Sequence, residues 1–338
     1  MKTKNILILL GILIPAYAVL TPRAGVVSGF RDAVSDAKSI YGDDNRIDYY
    51  NASAETMALA DSVVSFWKSA KLTDQGANFK LATRTLGEAK NLCAGEAFRE
   101  QNVGAFCSGS LVGDDLVMTA GHCITDAASC ADARIVFGHK VTKAGRAGIS
   151  TVAKGEVYSC SSIVARKLEE GKLGSDYALI KLDRKVSGHK PLAINRSGSI
   201  AKGTKLMVIG HPSGLPLKIA AGATVRDASK PEYFVCDLDT FGGNSGSPVF
   251  NNVTKKIEGI LVRGDEDYSP TPAGCNVATK YAQNGGRGED VTKISQVSSF
   301  IPMRAGEKAA PEVVDMTFTA PEGGAPVPAP VPANPFGN

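Results

Sequence analysis

Residues 107–123 read CSGSLVGDDLVMTAGHC. Two runs, CSGSLV and DLVMTA, have strand length and composition, and the Gly113-Asp114-Asp115 triplet between them is turn chemistry. The same alternation continues downstream. ARIVFG (133–138), YALIKL (177–182), KLMVIG (205–210), SPVF (247–250) and IEGILV (257–262) are short runs set between Gly, Asn and Asp clusters, with little helical periodicity. The chain carries 36 Gly and 17 Pro, which suits a turn-rich all-β protein better than a helical one. An all-β sandwich or a pair of barrels is therefore expected. Upstream, ETMALADSVVSFWKSA (55–70) is mixed. Met57, Ala60, Val64 and Trp67 share a helical face, yet SVVSFW is a good strand run, so a short helix leading into a strand is predicted.

With 43% apolar and 21% charged residues, most of the 338-residue chain can build a packed core. The net charge of +4 comes from 38 basic and 34 acidic residues scattered without a Lys/Arg run, so no nucleic-acid partner is indicated. The N-terminus reads as an export signal over residues 1–18: Lys2 and Lys4, the apolar run ILILLGILI (6–14), then Ala16-Tyr17-Ala18 as a cleavage site. That apolar run is short of the roughly 20 residues a spanning helix needs. A secreted product, periplasmic or extracellular, with no membrane attachment after cleavage is expected. Residues 19–40 read as a linker or short propeptide, and 304–338 as an extended, solvated Pro/Ala-rich tail. The seven Cys form no CxxC pair, so neither zinc nor redox chemistry is expected, and the odd count leaves one thiol over or an intermolecular bridge. No internal repeat is evident.

Three segments carry chemistry. In GGNSGSPVF (242–250), Ser245 sits on a glycine turn that leaves room for a substrate carbonyl, and the N–H groups of Gly243 and Ser245 are natural oxyanion donors. In TAGHC (119–123), His122 follows a strand and a small-residue turn, as a fixed general base must. In SDYALIKL (175–182), Asp176 precedes an apolar strand and is placed to orient the His122 ring. A lone Asp before a strand is usually a turn residue, so Asp176 gains meaning only from the ensemble. The four His residues leave few other bases. His139 and His189 lie in turns and are expected to be exposed, and His211 is expected to shape a loop.

The order His, Asp, Ser is that of the chymotrypsin-like arrangement, not of subtilisins or α/β-hydrolases. CSGSLVGDDLVMTAGHC, DYALIKL and GNSGSPVF resemble the three catalytic segments of trypsin-like serine proteases, in the bacterial branch that includes glutamyl endopeptidases. YGDDNR (41–46) resembles the start of the mature enzyme in that branch. The resemblance implies two six-stranded antiparallel β-barrels over about 41–303, with the active site between them. It implies His122, Asp176 and Ser245 as catalytic triad, Gly243 and Ser245 as oxyanion hole, and protein or peptide substrates. It implies no metal or organic cofactor, and a monomer is favoured. It also suggests disulfides Cys107–Cys123, Cys130–Cys160 and Cys236–Cys275, leaving Cys93 over unless it displaces Cys236. Asn244 stands where animal trypsins have the Asp that pairs with the freed N-terminus, so any latency must arise from the N-terminal segment by another route.

Specificity divides the reading. Asp239 has the spacing from Ser245 of the carboxylate at the base of trypsin's primary pocket, which favours Lys or Arg before the scissile bond. Its bland alternative is a carboxylate satisfying backbone N–H groups. Leu261 stands where glutamyl endopeptidases place an acid-binding His, while Thr240 matches a pocket Thr of that family. Arg263 could neutralise Asp239, bind an acidic substrate or point to solvent. A basic preference is favoured. The alternatives are an acid-specific endopeptidase and a catalytically inactive binding protein on the same fold. An esterase is disfavoured because no Gly-x-Ser-x-Gly elbow occurs in a strand-to-helix context.

Overall fold

The segment 55–70 does split into a helix, Ala54–Ala60, and a strand, Val63–Lys68 (β1). Ser53 caps the helix by accepting a hydrogen bond from the Thr56 N–H. Every β1 residue but Lys68 is buried, and the Trp67 indole N–H is satisfied by Ser65 Oγ at 2.9 Å. The computed structural model describes residues 38–169, 173–304 and 307. The expected signal segment 1–18, the linker up to residue 37 and nearly all of the 304–338 tail lie outside the described residues.

Five further strands close a barrel with β1: Cys107–Leu111 (β2), Leu116–Thr119 (β3), Ala133–Val136 (β4), Val157–Leu168 (β5) and Asp176–Leu182 (β6). Around the barrel they run β1-β2-β3-β6-β5-β4, and β4 returns to β1; all pairs are antiparallel. A second set repeats this order: Lys205–Gly210 (β7), Lys218–Asp227 (β8), Tyr233–Cys236 (β9), Pro248–Asn251 (β10), Ile257–Arg263 (β11) and Glu289–Lys293 (β12). They run β7-β8-β9-β12-β11-β10, and β10 returns to β7. Closure of both sets removes the free edges an open sheet would expose. The short strand Arg46–Asp48 adds onto β8.

The largest apolar cluster crosses the junction of the barrels. Phe66, Leu111 and Ile180 share it with Ile209, Phe250 and Val262. A second cluster, including Val208, Phe234, Leu261 and Val291, fills the second barrel. Each fully buried side chain of this size contributes about 1.5–3 kcal/mol. Among the described residues no helix is long and apolar enough to cross a membrane.

Cys107–Cys123 and Cys130–Cys160 are bonded, and the third bridge is Cys93–Cys275. The expected Cys236–Cys275 pair is corrected, and the backbone explains why. The Cys93 N–H donates to the Asn276 carbonyl at 2.9 Å, which holds the two loops side by side. Cys236 instead points into the second barrel as a buried free thiol. Past residue 303 the chain is still tied down: Arg196 Nε donates to Glu307 Oε2 at 2.9 Å, and Arg304 donates to the Pro191 carbonyl.

Candidate active site

His122 and Asp176 come from the first barrel, just after β3 and at the first residue of β6. Asp176 is buried, and its carboxylate is held from both sides. Oδ1 accepts the Gly121 N–H at 2.6 Å and the His122 N–H at 3.2 Å, while Oδ2 lies 2.7 Å from His122 Nδ1. A carboxylate on Nδ1 selects the tautomer protonated there. Burial alone would raise the Asp176 carboxyl; the His122 contact, the Arg263 guanidinium and the backbone donor outweigh it and hold it below the usual carboxylate range. Thr292 Oγ1 bonds both the N–H and the carbonyl of Asp176, at 3.1 and 3.0 Å, which ties β6 to β12 of the second barrel. Gly121 has to be glycine: a Cβ there would lie 2.5 Å from the Lys167 carbonyl and 2.9 Å from that of Tyr177. Cys107–Cys123 pins the other side of the His122 turn to β2. The two sulfurs and the His122 ring form a group with potential ligand atoms within 4.8 Å, but both thiols are spent in the disulfide.

Ser245 lies in the turn that enters β10 of the second barrel, between Gly243 at φ +96° and Gly246 at φ +89°. Its carbonyl accepts the Ser108 N–H of β2 at 2.8 Å, so this turn is docked on the first barrel. A Cβ on Gly246 would lie 2.1 Å from the Ser108 carbonyl, and one on Gly243 2.7 Å from the His211 carbonyl. The loop 211–215 sets the neighbouring peptide. The Ser213 N–H donates to the Gly242 carbonyl at 2.5 Å, and in a trans peptide this aims the Gly243 N–H the opposite way. Ser108 Oγ then donates to the Gly243 carbonyl at 2.7 Å and accepts the His211 N–H at 2.9 Å. His211 thus shapes this loop. Asn244 is buried, with its N–H on the Phe241 carbonyl at 2.9 Å and its side-chain oxygen accepting from Ser247 Oγ at 3.2 Å.

Near Lys38, whose ammonium bonds Ser245, lies a buried acidic group that sequence reasoning missed. Glu289, the first residue of β12, has its carboxylate under Gly264, where a Cβ would lie 2.2 Å from Oε2. It accepts from Thr240 Oγ1 at 2.8 Å, the Tyr41 hydroxyl at 3.2 Å and the Ser39 N–H at 3.3 Å. Burial pushes its carboxyl well above the usual range, against the nearby Lys38 charge and these donors. Lys38 is itself wholly buried. Its backbone N–H donates to Asp267 Oδ1 at 2.6 Å and its ammonium to Ser245 Oγ at 3.0 Å. The one signal for Glu289 in the sequence was two adjacent acids, Glu289-Asp290, entering a strand.

The expected specificity residues are placed differently. Asp239 accepts the N–H groups of Tyr41 and Asn45, each at 2.8 Å, so it anchors the 41–45 turn. Burial moves its carboxyl up to about 6 against those donors. The Leu261 side chain packs inside the second barrel, while its carbonyl accepts the Gly246 N–H at 2.8 Å and its N–H donates to the Ser247 carbonyl at 3.0 Å. Arg263 neither faces Asp239 nor reaches solvent: it is buried, with Nε 3.1 Å from Asp290 Oδ2 and Nη1 3.8 Å from Asp176 Oδ2. Of the four, only Thr240 touches Glu289, its Oγ1 donating to that carboxylate at 2.8 Å. His139 is buried rather than exposed, stacked on His211 at 5.4 Å between ring centroids. His189 is half-buried, stacked on Phe137 and 2.8 Å from Glu156.

Two closed six-stranded antiparallel barrels, with this His–Asp contact on one and the glycine-flanked Ser on the other, define the class: a chymotrypsin-like β fold. Residues 107–260 match the trypsin-like peptidase domain family. A glutamyl endopeptidase of Bacillus licheniformis is 29% identical over 157 residues, which is 44% of this chain and 46% of the relative. The chain thus spans about half the length of the curated relative it matches. Among solved structures, the VesB protease of Vibrio cholerae is 18% identical with a TM-score of 0.47, covering 76% of this chain and 66% of that one. A Glu endopeptidase structure is 16% identical with a TM-score of 0.45, covering 78% and 97%.

Proposed function

We propose that the chain is a secreted serine endopeptidase in which Ser245 is the nucleophile, His122 the general base and Asp176 the residue that orients it. The observation that carries this is the 2.7 Å contact of His122 Nδ1 with a buried carboxylate, on a turn whose Cys123 Sγ lies 3.7 Å from the carbonyl of the glycine-flanked Ser245. With Nδ1 protonated, Nε2 is the basic nitrogen. It takes the Ser245 proton as Oγ attacks a peptide carbonyl, then gives it to the leaving amine; water, deprotonated the same way, hydrolyses the acyl-enzyme. The oxyanion falls to the N–H groups of Gly243 and Ser245, each worth about 3 kcal/mol in comparable sites. The substrates are proteins or peptides, and all three reactive groups are present, which speaks against an inactive binding protein.

The preferred side chain before the scissile bond is basic, with Glu289 and not Asp239 as the carboxylate that receives it, ionising against its burial as a cation comes near. Two features support this: Thr240 and Gly264 face Glu289, and the buried carboxylate already feels the charge of a nearby cation, Lys38. Lys38 is no substrate mimic, because its backbone sits at the Asp267 end and its ammonium at the nucleophile. It blocks Ser245 instead, so the N-terminal segment holds this form of the chain latent. Digestion of a peptide library with mass-spectrometric mapping tests the reading. Cleavage after Lys and Arg is expected. Cleavage after Glu or Asp overturns the pocket assignment, and no cleavage by chain cut free of residue 38 overturns the activity.

A further inference from the structure

Arg263 was expected in the substrate pocket, and its buried position gives it other work. A β-bulge between Leu261 and Arg263 shifts the register of β11 on β12, so that Leu261 opposes Val291 and Arg263 opposes Asp290. Bulges re-aim side chains. Leu261 faces the interior of the second barrel, whereas Arg263 turns toward the first and reaches Asp176. We propose that Arg263 is a positioning residue for the reaction: its guanidinium, seated behind the Asp176 carboxylate, holds that carboxylate charged and aimed at His122, and sets the lower pH limit of activity. This rests on the reading of His122, Asp176 and Ser245 as the triad.

The geometry divides the guanidinium between two tasks. Nη1 lies 3.8 Å from Asp176 Oδ2, the same oxygen that meets His122 Nδ1. Nη2 donates to the Gly174 carbonyl at 2.9 Å, so the same side chain also holds the backbone that leads into Asp176. Arginine suits this because its planar fork binds two acceptors in fixed directions. The other charged and titratable groups around it are few. Asp290 accepts from Nε at 3.1 Å, Arg287 bonds Asp290 at 2.8 Å, and the Tyr233 ring lies 5.7 Å away. On the far side of Asp176 stands His122.

The sign follows from these charges. A cation behind Asp176 favours its ionised form and opposes the imidazolium that forms at His122 when the pH falls. Taking the cation away makes that protonation easier, so activity is lost at a higher pH. Taking away Asp290 leaves more of the cation's field at His122, so activity persists to a lower pH.

The test is the pH profile of fluorophosphonate labelling by the chain cut free of residue 38, in which Lys38 no longer blocks Ser245. Arg263→Met should move the acid limb up by about one pH unit, because Asp290 and the solvent screen part of the field. Arg263→Lys, which keeps the charge, should leave the limb near its original place even where the plateau rate drops. Asp290→Asn should move it down. Arg287 remains to pair with Asp290 in Arg263→Met, which favours folding of that variant. If Arg263→Met does not fold, the downward shift in Asp290→Asn decides alone. An unmoved limb in whichever of these folds, or an equal shift in Arg263→Lys and Arg263→Met, overturns the proposal. Ser245→Ala separates the two readings: if it still labels, the triad fails; if it does not and the limb stays put, only the role of Arg263 fails.

Discussion

Lys38 offers the sharpest perturbation, because one side chain is bonded to the proposed nucleophile, Ser245. Its ammonium donates to Ser245 Oγ at 3.0 Å with the residue wholly buried. A hydrogen bond from a charged donor is worth about 1.5–3 kcal/mol. Removing it should speed fluorophosphonate labelling of the uncleaved chain by about 10- to 150-fold, since each 1.36 kcal/mol is tenfold. Lys38→Ala removes both the charge and the bulk, and Lys38→Met keeps most of the bulk. The expected order of labelling rates is Ala above Met above Lys, measured on chains whose intact mass confirms that residues before Ser39 are still attached. Neutralising Lys38 also takes a cation away from Glu289 and Asp267, whose carboxyls are already raised by burial, so both become easier to keep neutral. The buried site is then not left with two unpaired charges. Equal rates in Lys38→Ala and the parent chain would refute the blocking role. A slower Lys38→Ala would show that Lys38 supports the site instead.

Other consequences follow from buried groups. His211 is held down to about 4 by burial, against its contact with the Leu215 carbonyl, and His139 is lowered by the same cause. Both are neutral when folded, so their contribution to stability is complete above about pH 6.5 and is lost as the pH falls toward 4. His211 alone should cost about 3 kcal/mol over that window, visible in chemical denaturation at pH 7 against pH 4.5. Neither ring nitrogen of His139 has a hydrogen-bond partner among the described residues, so His139→Phe should flatten the pH dependence without loss at pH 7. Gly243→Ala should lower kcat by about 10²–10³ with KM little changed, because the added methyl meets the His211 carbonyl and displaces an oxyanion donor. Cys236 should resist alkylation in the folded protein and count as one thiol per chain after unfolding, since burial raises its thiol well above the usual range.

Much of this is legible in the sequence. The strand runs around CSGSLVGDDLVMTAGHC mark β2 and β3, because short apolar runs bounded by turn residues have few other ways to pair their backbone. The glycines beside Ser245 and His122 mark close backbone approaches, and Gly121, Gly243 and Gly246 each sit where a Cβ would collide. The repeat of the barrel was legible only through the resemblance of the three catalytic segments, which implies two six-stranded barrels; the strand runs alone leave a sandwich open. The two barrels share strand order and not residues, since closure depends on pattern and many sequences satisfy it. The pocket was misread for a related reason. Spacing from Ser245 locates Asp239 along the chain, yet the turn at 41–45 folds back and takes up both of its oxygens. Glu289 and Arg263 owe their neighbours to strands far apart in sequence, and a bulge that no local propensity announces turned Arg263 inward. Cys93 found Cys275 for the same long-range reason.

The central claim is that Ser245 is a nucleophile activated by His122. Labelling the chain cut free of residue 38 with a fluorophosphonate and mapping the modified peptide by mass spectrometry tests this. The account predicts a single adduct on Ser245, absent in Ser245→Ala and strongly slowed in His122→Ala. An adduct on another serine, or undiminished labelling of Ser245→Ala, would contradict it.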